Sequence, residues 1–268
     1  MGGRGSSYGL VSSGSTIPAP SAVAAETSER SSEGEYHLFE GDPIMGGWEY
    51  GGSHKAVKDF FDRTTNYDEL ISKMSREERE AFRNWARGYF MSGQQYKGWE
   101  DMSTEDRRLT RIYDKYLNQT EVREGFTVYR AAGYELINSG SRSSLSIDEI
   151  RGMVGEIIPS KGSMSTGCGT AGLVGMGRGS GKSVEYKINI PKGSTGAGMW
   201  IGDDRINGWG PKQREFMTNR DSLFRIDGVR INEKGRTEVE LTYVGHTKHH
   251  DYGEEGRKRR ERRAAARR

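Results

Sequence analysis

Three short stretches carry side chains able to do chemistry: Val128-Tyr129-Arg130, Ser163-Met164-Ser165-Thr166-Gly167 and Gln213-Arg214-Glu215. A guanidinium is planar and permanently charged. At a strand end, Arg130 therefore either snorkels to solvent or turns into a cleft that holds an anion such as a phosphate. Gln213 and Glu215 stand two apart, which on a strand puts both on one face together with Met217; the Glu215 carboxylate is then either surface-exposed or deliberately buried. Ser165 and Thr166 alone read as a turn before Gly167. Each stretch is weak by itself, and its meaning depends on the elements that hold it.

Those elements come in two blocks. Apolar points at Val57, Phe60, Phe61, Leu70 and Ile71 suggest helix over 54–72. Ser75 followed three residues later by Glu78 makes a capping box for a helix whose Ala81, Trp85 and Tyr89 share a face. Leu109, Ile112, Tyr113, Tyr116 and Leu117 fall at amphipathic helical spacing. From Phe126 the period becomes two, with Phe126, Val128 and Arg130 on one face and Thr127 and Tyr129 on the other. A helix capped by Ser146 and Glu149 is expected to run through Ile150, Val154 and Ile157, and strands are expected at 184–190, 214–217, 224–231 and 239–243. Helices first and short-looped strands second predict an α+β domain with a mostly antiparallel sheet.

Composition narrows the chemistry. The chain has 268 residues with 32% hydrophobic and 29% charged, and its 38 glycines are about twice the usual share. Residues 1–52 read as a Gly/Ser-rich, largely disordered segment, with a transition through Phe39 and Trp48. Residues 53–246 read as one domain with a helical part over 53–121 and a sheet part over 122–246, and 247–268 as a basic disordered tail. That tail holds most of the basic excess, so the net charge of +3 hides an acidic body. A single cysteine, Cys168, excludes an internal disulfide and a thiolate zinc site, and no metal is expected. No stretch has the apolar run of a signal peptide or a membrane span, which leads to an expectation of a cytoplasmic protein in the producing cell. The run Gly175–Ser183 ends in Gly-Lys-Ser, yet Met176 stands where a phosphate-binding loop needs its first glycine and a strand follows instead of a helix; a mobile loop beside a cleft, or a plain insertion, fits better.

In order, spacing and context, the three stretches resemble the Arg, Ser-Thr-Ser, Gln/Glu-x-Glu signature of the clostridial-type mono-ADP-ribosyltransferase toxins. The resemblance covers roughly residues 70–245, including the Ile188–Ser194 strand and turn and the segment from Glu215 through Arg220 to Ile226. Gly167 stands where the triplet has its last Ser, and Gln213 where arginine-modifying members carry Glu. The resemblance implies an ADP-ribosyltransferase-like fold, a helical part packed on a two-sheet β core around an NAD cleft.

It also implies the transfer of ADP-ribose from NAD to a macromolecule, with nicotinamide released. Glu215 would stabilise the positive charge that builds on the ribose, as carboxylates do in glycoside hydrolysis. Ser165 would hold Glu215. Arg130 would clamp the NAD phosphates, with Tyr129, Thr166 and Gly167 completing the NAD side of the pocket. Gln213 would meet the acceptor, and Trp209, in the segment Asp203–Lys212, would contact it. A Gln at position 213 points to a non-arginine acceptor, an Asn or Gln side chain of a protein first, with nucleic-acid bases reached through the basic tail 257–268 as the second candidate. An NAD glycohydrolase on the same fold, and a non-catalytic structural or interaction protein, are the other readings. The chain is expected to act as a monomer. The lack of a signal peptide suits delivery by a specialised route or a phage-encoded enzyme.

Overall fold

Phe61 shows how the helical block meets the sheet. A computed structural model describes residues 36–39, 54–86, 102–137, 144–160, 162–169, 184–207, 214–233 and 235–246, all within one compact unit spanning Glu35–Arg268. Helix α1 (His54–Thr64) buries Val57, Phe60 and Phe61 along one side. The Phe61 ring stacks on Tyr67 and on Trp200 at 5.6 Å each, and meets Phe126 edge-on at 5.2 Å. Aromatic rings carry the largest apolar area per side chain, so this cluster is the main adhesive between the two blocks. Phe39 belongs to it as well: it lies inside the segment expected to be largely disordered, but is buried edge-on to Phe60 at 5.1 Å.

The helix expected over 54–72 is broken in two. Helix α2 (Tyr67–Lys73) starts afresh after Thr65 and Asn66, because Asn66 turns outward to bond the far end of the helical block, its Nδ2 donating to the Gln119 carbonyl at 2.8 Å and its Oδ1 accepting from Glu121 N–H at 2.9 Å. Helix α3 (Arg76–Ala86) opens with the expected capping box, Ser75 and Glu78 exchanging bonds at 2.8 and 3.1 Å. Ala81 is buried as its spacing suggests, while the Trp85 side chain and Tyr89 lie outside the described residues. Helix α4 (Thr104–Leu117) buries Tyr113, Tyr116 and Leu117 and packs Leu109 and Ile112 against the core. No helix among the described residues is long and apolar enough to cross a membrane.

The strands are β1 (Phe126–Ala132), β2 (Ile157–Pro159), β3 (Ser165–Gly167), β4 (Val184–Ile190), β5 (Gly198–Trp200), β6 (Glu215–Thr218), β7 (Ser222–Ile231) and β8 (Thr237–His246). Helix α5 (Ile147–Gly152) has the predicted Ser146–Glu149 box but stops five residues short of Ile157. The reason is a competing partner: Gly155, at φ +93°, donates to the Ile226 carbonyl at 2.8 Å, and Ile226 N–H donates to Glu156 at 3.0 Å, so the chain joins the sheet. Val154 and Ile157, expected within this helix, lie beyond it and are exposed.

Hydrogen bonding joins all eight strands in one sheet of order β2-β7-β8-β4-β1-β3-β6-β5, where two sheets were expected. Every pairing is antiparallel except β4 with β8. The five strands from β2 to β1 and the three from β3 to β5 are nonetheless joined at the single residue pair Tyr129↔Gly167. A ladder one pair long imposes little on the angle between its two halves. Arg130, Ser165 and Glu215 lie at that seam.

Candidate active site

β3 is only three residues long and lies between β1 and β6, with Ser165 opposite Met217, Thr166 opposite Phe216, and Gly167 flanked by Glu215 and Tyr129. Side chains alternate along a strand, so Ser165 and Glu215 share one face of this half of the sheet while Thr166 and Phe216 share the other. The register is locked from both ends. Met164 N–H donates to Thr218 Oγ1 at 2.8 Å, Thr218 N–H to the Met164 carbonyl at 2.9 Å, and Cys168 N–H to the Arg214 carbonyl at 2.8 Å. A one-residue slip would turn Ser165 away from Glu215, so these bonds position the pair.

Glu215 is the one carboxyl of the described residues that its surroundings push above the ordinary value. Burial pushes its carboxyl up to about 7, against the opposing pull of a hydrogen bond from the Ser165 hydroxyl and the positive charge of Arg130. Arg130 reaches across the seam: its Nη1 donates to the Ser165 carbonyl at 2.6 Å. The sequence separates these three residues by 35 and 50 positions, and the fold brings them together. A desolvated carboxylate held by a hydroxyl beside an arginine is equipped to stabilise a nearby developing cation and to hold an anionic group next to it.

Thr166, expected at this pocket, spends its hydroxyl elsewhere. Thr166 is buried on the far face, and its hydroxyl donates to the Phe216 carbonyl at 2.6 Å, so it ties two strands together instead of lining the site. Tyr129 is half-buried on β1, and burial raises its hydroxyl above the ordinary tyrosine value. Its contribution is the seam pairing with Gly167. Gln213 and Trp209, like the run 175–183 and the tail 257–268, lie outside the described residues.

The sequence of motifs on this geometry finds a match in a family model, that of the ADP-ribosyltransferase exoenzymes, over residues 63–248. The chain belongs to the ADP-ribosyltransferase exoenzyme family. Its members are NAD-dependent transferases, so this chain is an enzyme of that class with NAD as the donor substrate. No curated protein matches the sequence. Among solved structures, Plx2a, an ADP-ribosyltransferase toxin from Paenibacillus larvae, is similar at a TM-score of 0.56 with 20% identity, covering 72% of this chain and 96% of its own. C3stau2 from S. aureus, solved with NAD, gives 0.52 with 13% identity over 78% of this chain and all of its own length, 100%. The C3 exoenzyme of Clostridium limosum gives 0.52 with 16% identity over 78% and 98%. At these identities the likeness is one of fold, and it extends the family's helices-then-sheet order to nearly the full length of those exoenzymes.

Within the segment Asp203–Lys212, the turn after β5 buries Asp203 against Arg205, two residues to which the motifs gave no role. An Asp two residues before an Arg, following Gly202, is a turn signal that could have marked it.

Proposed function

We propose that this ADP-ribosyltransferase modifies a non-arginine acceptor, an Asn or Gln side chain of a protein, and releases nicotinamide. The observation that carries the reading is the assembly of Glu215, Ser165 and Arg130 at one seam of the sheet. This donor set fits NAD, with a cation for its diphosphate and a carboxylate for a ribose hydroxyl; C3stau2, of the same fold, was solved with NAD.

In this reading Arg130 holds the diphosphate by charge-assisted hydrogen bonds, which fixes the nicotinamide ribose relative to Glu215. Ionised Glu215 accepts a hydrogen bond from a ribose hydroxyl and stabilises the positive charge that develops at C1′ as the bond to nicotinamide breaks; the bonding electrons leave with nicotinamide. Ser165 keeps the carboxylate in one orientation. The acceptor nitrogen then bonds to C1′ and gives up a proton. Gln213, two residues from Glu215, offers an amide that can accept from and donate to another amide, whereas it cannot pair with a guanidinium as a carboxylate does. Trp209 supplies an aromatic contact to the acceptor.

The test is incubation of the purified chain with radiolabelled NAD and bacterial, insect and mammalian cell lysates, with and without nuclease, beside Glu215→Gln. Label on a nuclease-resistant band, absent with Glu215→Gln, is the expected result. Label that disappears on nuclease treatment moves the acceptor to nucleic acid, for which the basic tail supplies the attraction. Nicotinamide release with no label in any lysate reduces the enzyme to an NAD glycohydrolase.

A further inference from the structure

Four residues that precede the helical block in the chain fill a gap that β3 leaves beside β1. β3 meets β1 only where Gly167 pairs with Tyr129, so the earlier part of β1 has no strand on that side. The segment 36–39 takes the place as a parallel bridge of His37 to Phe126. His37 N–H donates to the Gly125 carbonyl at 2.9 Å, and Thr127 N–H donates to the His37 carbonyl at 3.1 Å. Phe126 and Thr127 are fully buried, so without the bridge the Thr127 amide would lie in the core with neither a partner nor water.

Side chains alternate along the segment. The Tyr36 hydroxyl is hydrogen-bonded to the Thr242 side chain of β8. His37 and Phe39 turn to α1 instead: the His37 ring stacks on Phe60 at 4.2 Å, and Phe39 lies edge-on to Phe60 at 5.1 Å and to Phe126 at 6.1 Å. The main chain of Phe39 reaches the far side of the seam. Its carbonyl oxygen lies against Gly169, two residues past β3, where an added Cβ would come within 3.2 Å of it. Gly169 also has φ +93°, a second reason for glycine at this position. The residue before it, Cys168, donates its N–H to the Arg214 carbonyl next to Glu215. The segment therefore touches β8 and β1 on one side of the seam and the end of β3 on the other, with its two inward rings held by α1.

We infer that residues 36–39 form a strap across the seam and that Phe39 is a positioning residue for the NAD site, keeping β1 and the end of β3 at the spacing that lets Arg130 reach the Ser165 carbonyl. The inference rests on the reading of Arg130, Ser165 and Glu215 as the NAD site. One residue pair fixes little by itself, and the strap adds a second attachment along the same edge of β1. The strap lies before residue 63, where the family match begins.

The experiment measures NAD hydrolysis by the full chain, with kcat and KM separated and a thermal melt beside each, at a temperature where every variant is folded. The variants are Phe39→Ala, Phe39→Leu, Gly169→Ala, Arg130→Lys and Phe39→Ala combined with Arg130→Lys. Phe224→Leu, a buried change on β7, is the control for lost packing away from the seam. Phe39→Ala is expected to raise the KM for NAD about tenfold with kcat within about threefold of the parent, the mark of a misplaced binding group. Gly169→Ala should raise KM by a smaller factor, and Phe39→Leu should recover most of the loss. Phe224→Leu should lower the melting temperature and leave KM unchanged. In the Arg130→Lys background, Phe39→Ala should add less than about twofold, because both changes act on one interaction. An unchanged KM in Phe39→Ala and Gly169→Ala makes the segment merely structural and overturns the inference. So does a rise that Phe224→Leu reproduces, or one that is undiminished in the double variant. An unchanged KM in Arg130→Lys removes the NAD reading of the site itself, and the inference goes with it.

Discussion

Arg130 Nη1 donates to the carbonyl oxygen of Ser165 at 2.6 Å, spanning the place where β1 and β3 share one residue pair. The bond makes the arginine a brace across the shortest joint of the sheet as well as a cation whose charge acts on Glu215. Arg130→Lys keeps the charge but not the planar fork. It is expected to raise the KM for NAD roughly 10- to 100-fold, the equivalent of one charge-assisted hydrogen bond of about 1.5–3 kcal/mol. Steady-state NAD hydrolysis measures it, and an unchanged KM would remove the phosphate role.

Glu215→Gln should lower both hydrolysis and transfer by a factor of roughly 100 or more, the usual loss when a preorganised electrostatic group is removed. An amide of the same shape cannot carry the negative charge that the developing ribose cation needs. Activity within about tenfold of the parent would show that another group performs the chemistry.

The same residue sets a pH dependence with opposite signs for rate and stability. The ionised carboxylate is the active form, so kcat/KM should rise with pH through about 7 and then level off. For stability, the folded state holds the proton up to about 7 whereas the unfolded chain releases it near the ordinary 4.5. Between these values the folded state binds more protons, so stability falls as pH rises, by about 3 kcal/mol once Glu215 is fully ionised. Urea denaturation of Glu215→Gln should therefore show greater stability than the parent at pH 8, by up to about 3 kcal/mol, with the difference shrinking to below about 1 kcal/mol near pH 5. A difference independent of pH contradicts the burial of this carboxyl.

Ser165→Ala removes the hydrogen bond that favours the ionised form of Glu215. The acid limb of the rate profile should move up by about one pH unit, the equivalent of about 1.5 kcal/mol. A limb that stays in place, with only the maximum rate reduced, would mean that Ser165 acts on the substrate and not through Glu215.

Thr166→Val tests the opposite assignment. Its hydroxyl is spent on Phe216 inside the protein, so the substitution should cost about 1–2 kcal/mol of stability, with kcat per folded molecule close to the parent value. A large fall in kcat without a change in stability would return Thr166 to the pocket.

Periodicity made much of the fold legible. Phe126 and Val128, Ile188 and Ile190, Leu241 and Tyr243 are buried where a period of two places them, and the Ser75–Glu78 and Ser146–Glu149 boxes open real helices. It failed where a distant partner outbid a local pattern. Nothing near Ile157 announces that Gly155 will pair with Ile226, and nothing near Asn66 announces that it will bond to Gln119 and Glu121. At the candidate site, motif order singled out Glu215, Ser165 and Arg130, which the fold brings together, but only the strand register tells which side chains of a motif share a face. The register turned Thr166 away, and no local feature of Arg205 betrays its bond to Asp68 in helix α2.

β8, the last of the named strands in chain order, lies inside the sheet between β7 and β4, and its partnership with β4 is the one parallel pairing among those eight strands. A ribosome making this protein therefore delivers both flanks of the sheet before the strand that unites them. Until residues 237–246 emerge, β7 and β4 have a missing neighbour, and the hydrophobic faces of Val239 and Leu241 are absent from the core. Such long-range closure is slow. A nascent chain that already carries Arg130, Ser165 and Glu215 therefore still lacks the middle of its scaffold until residues 237–246 are made.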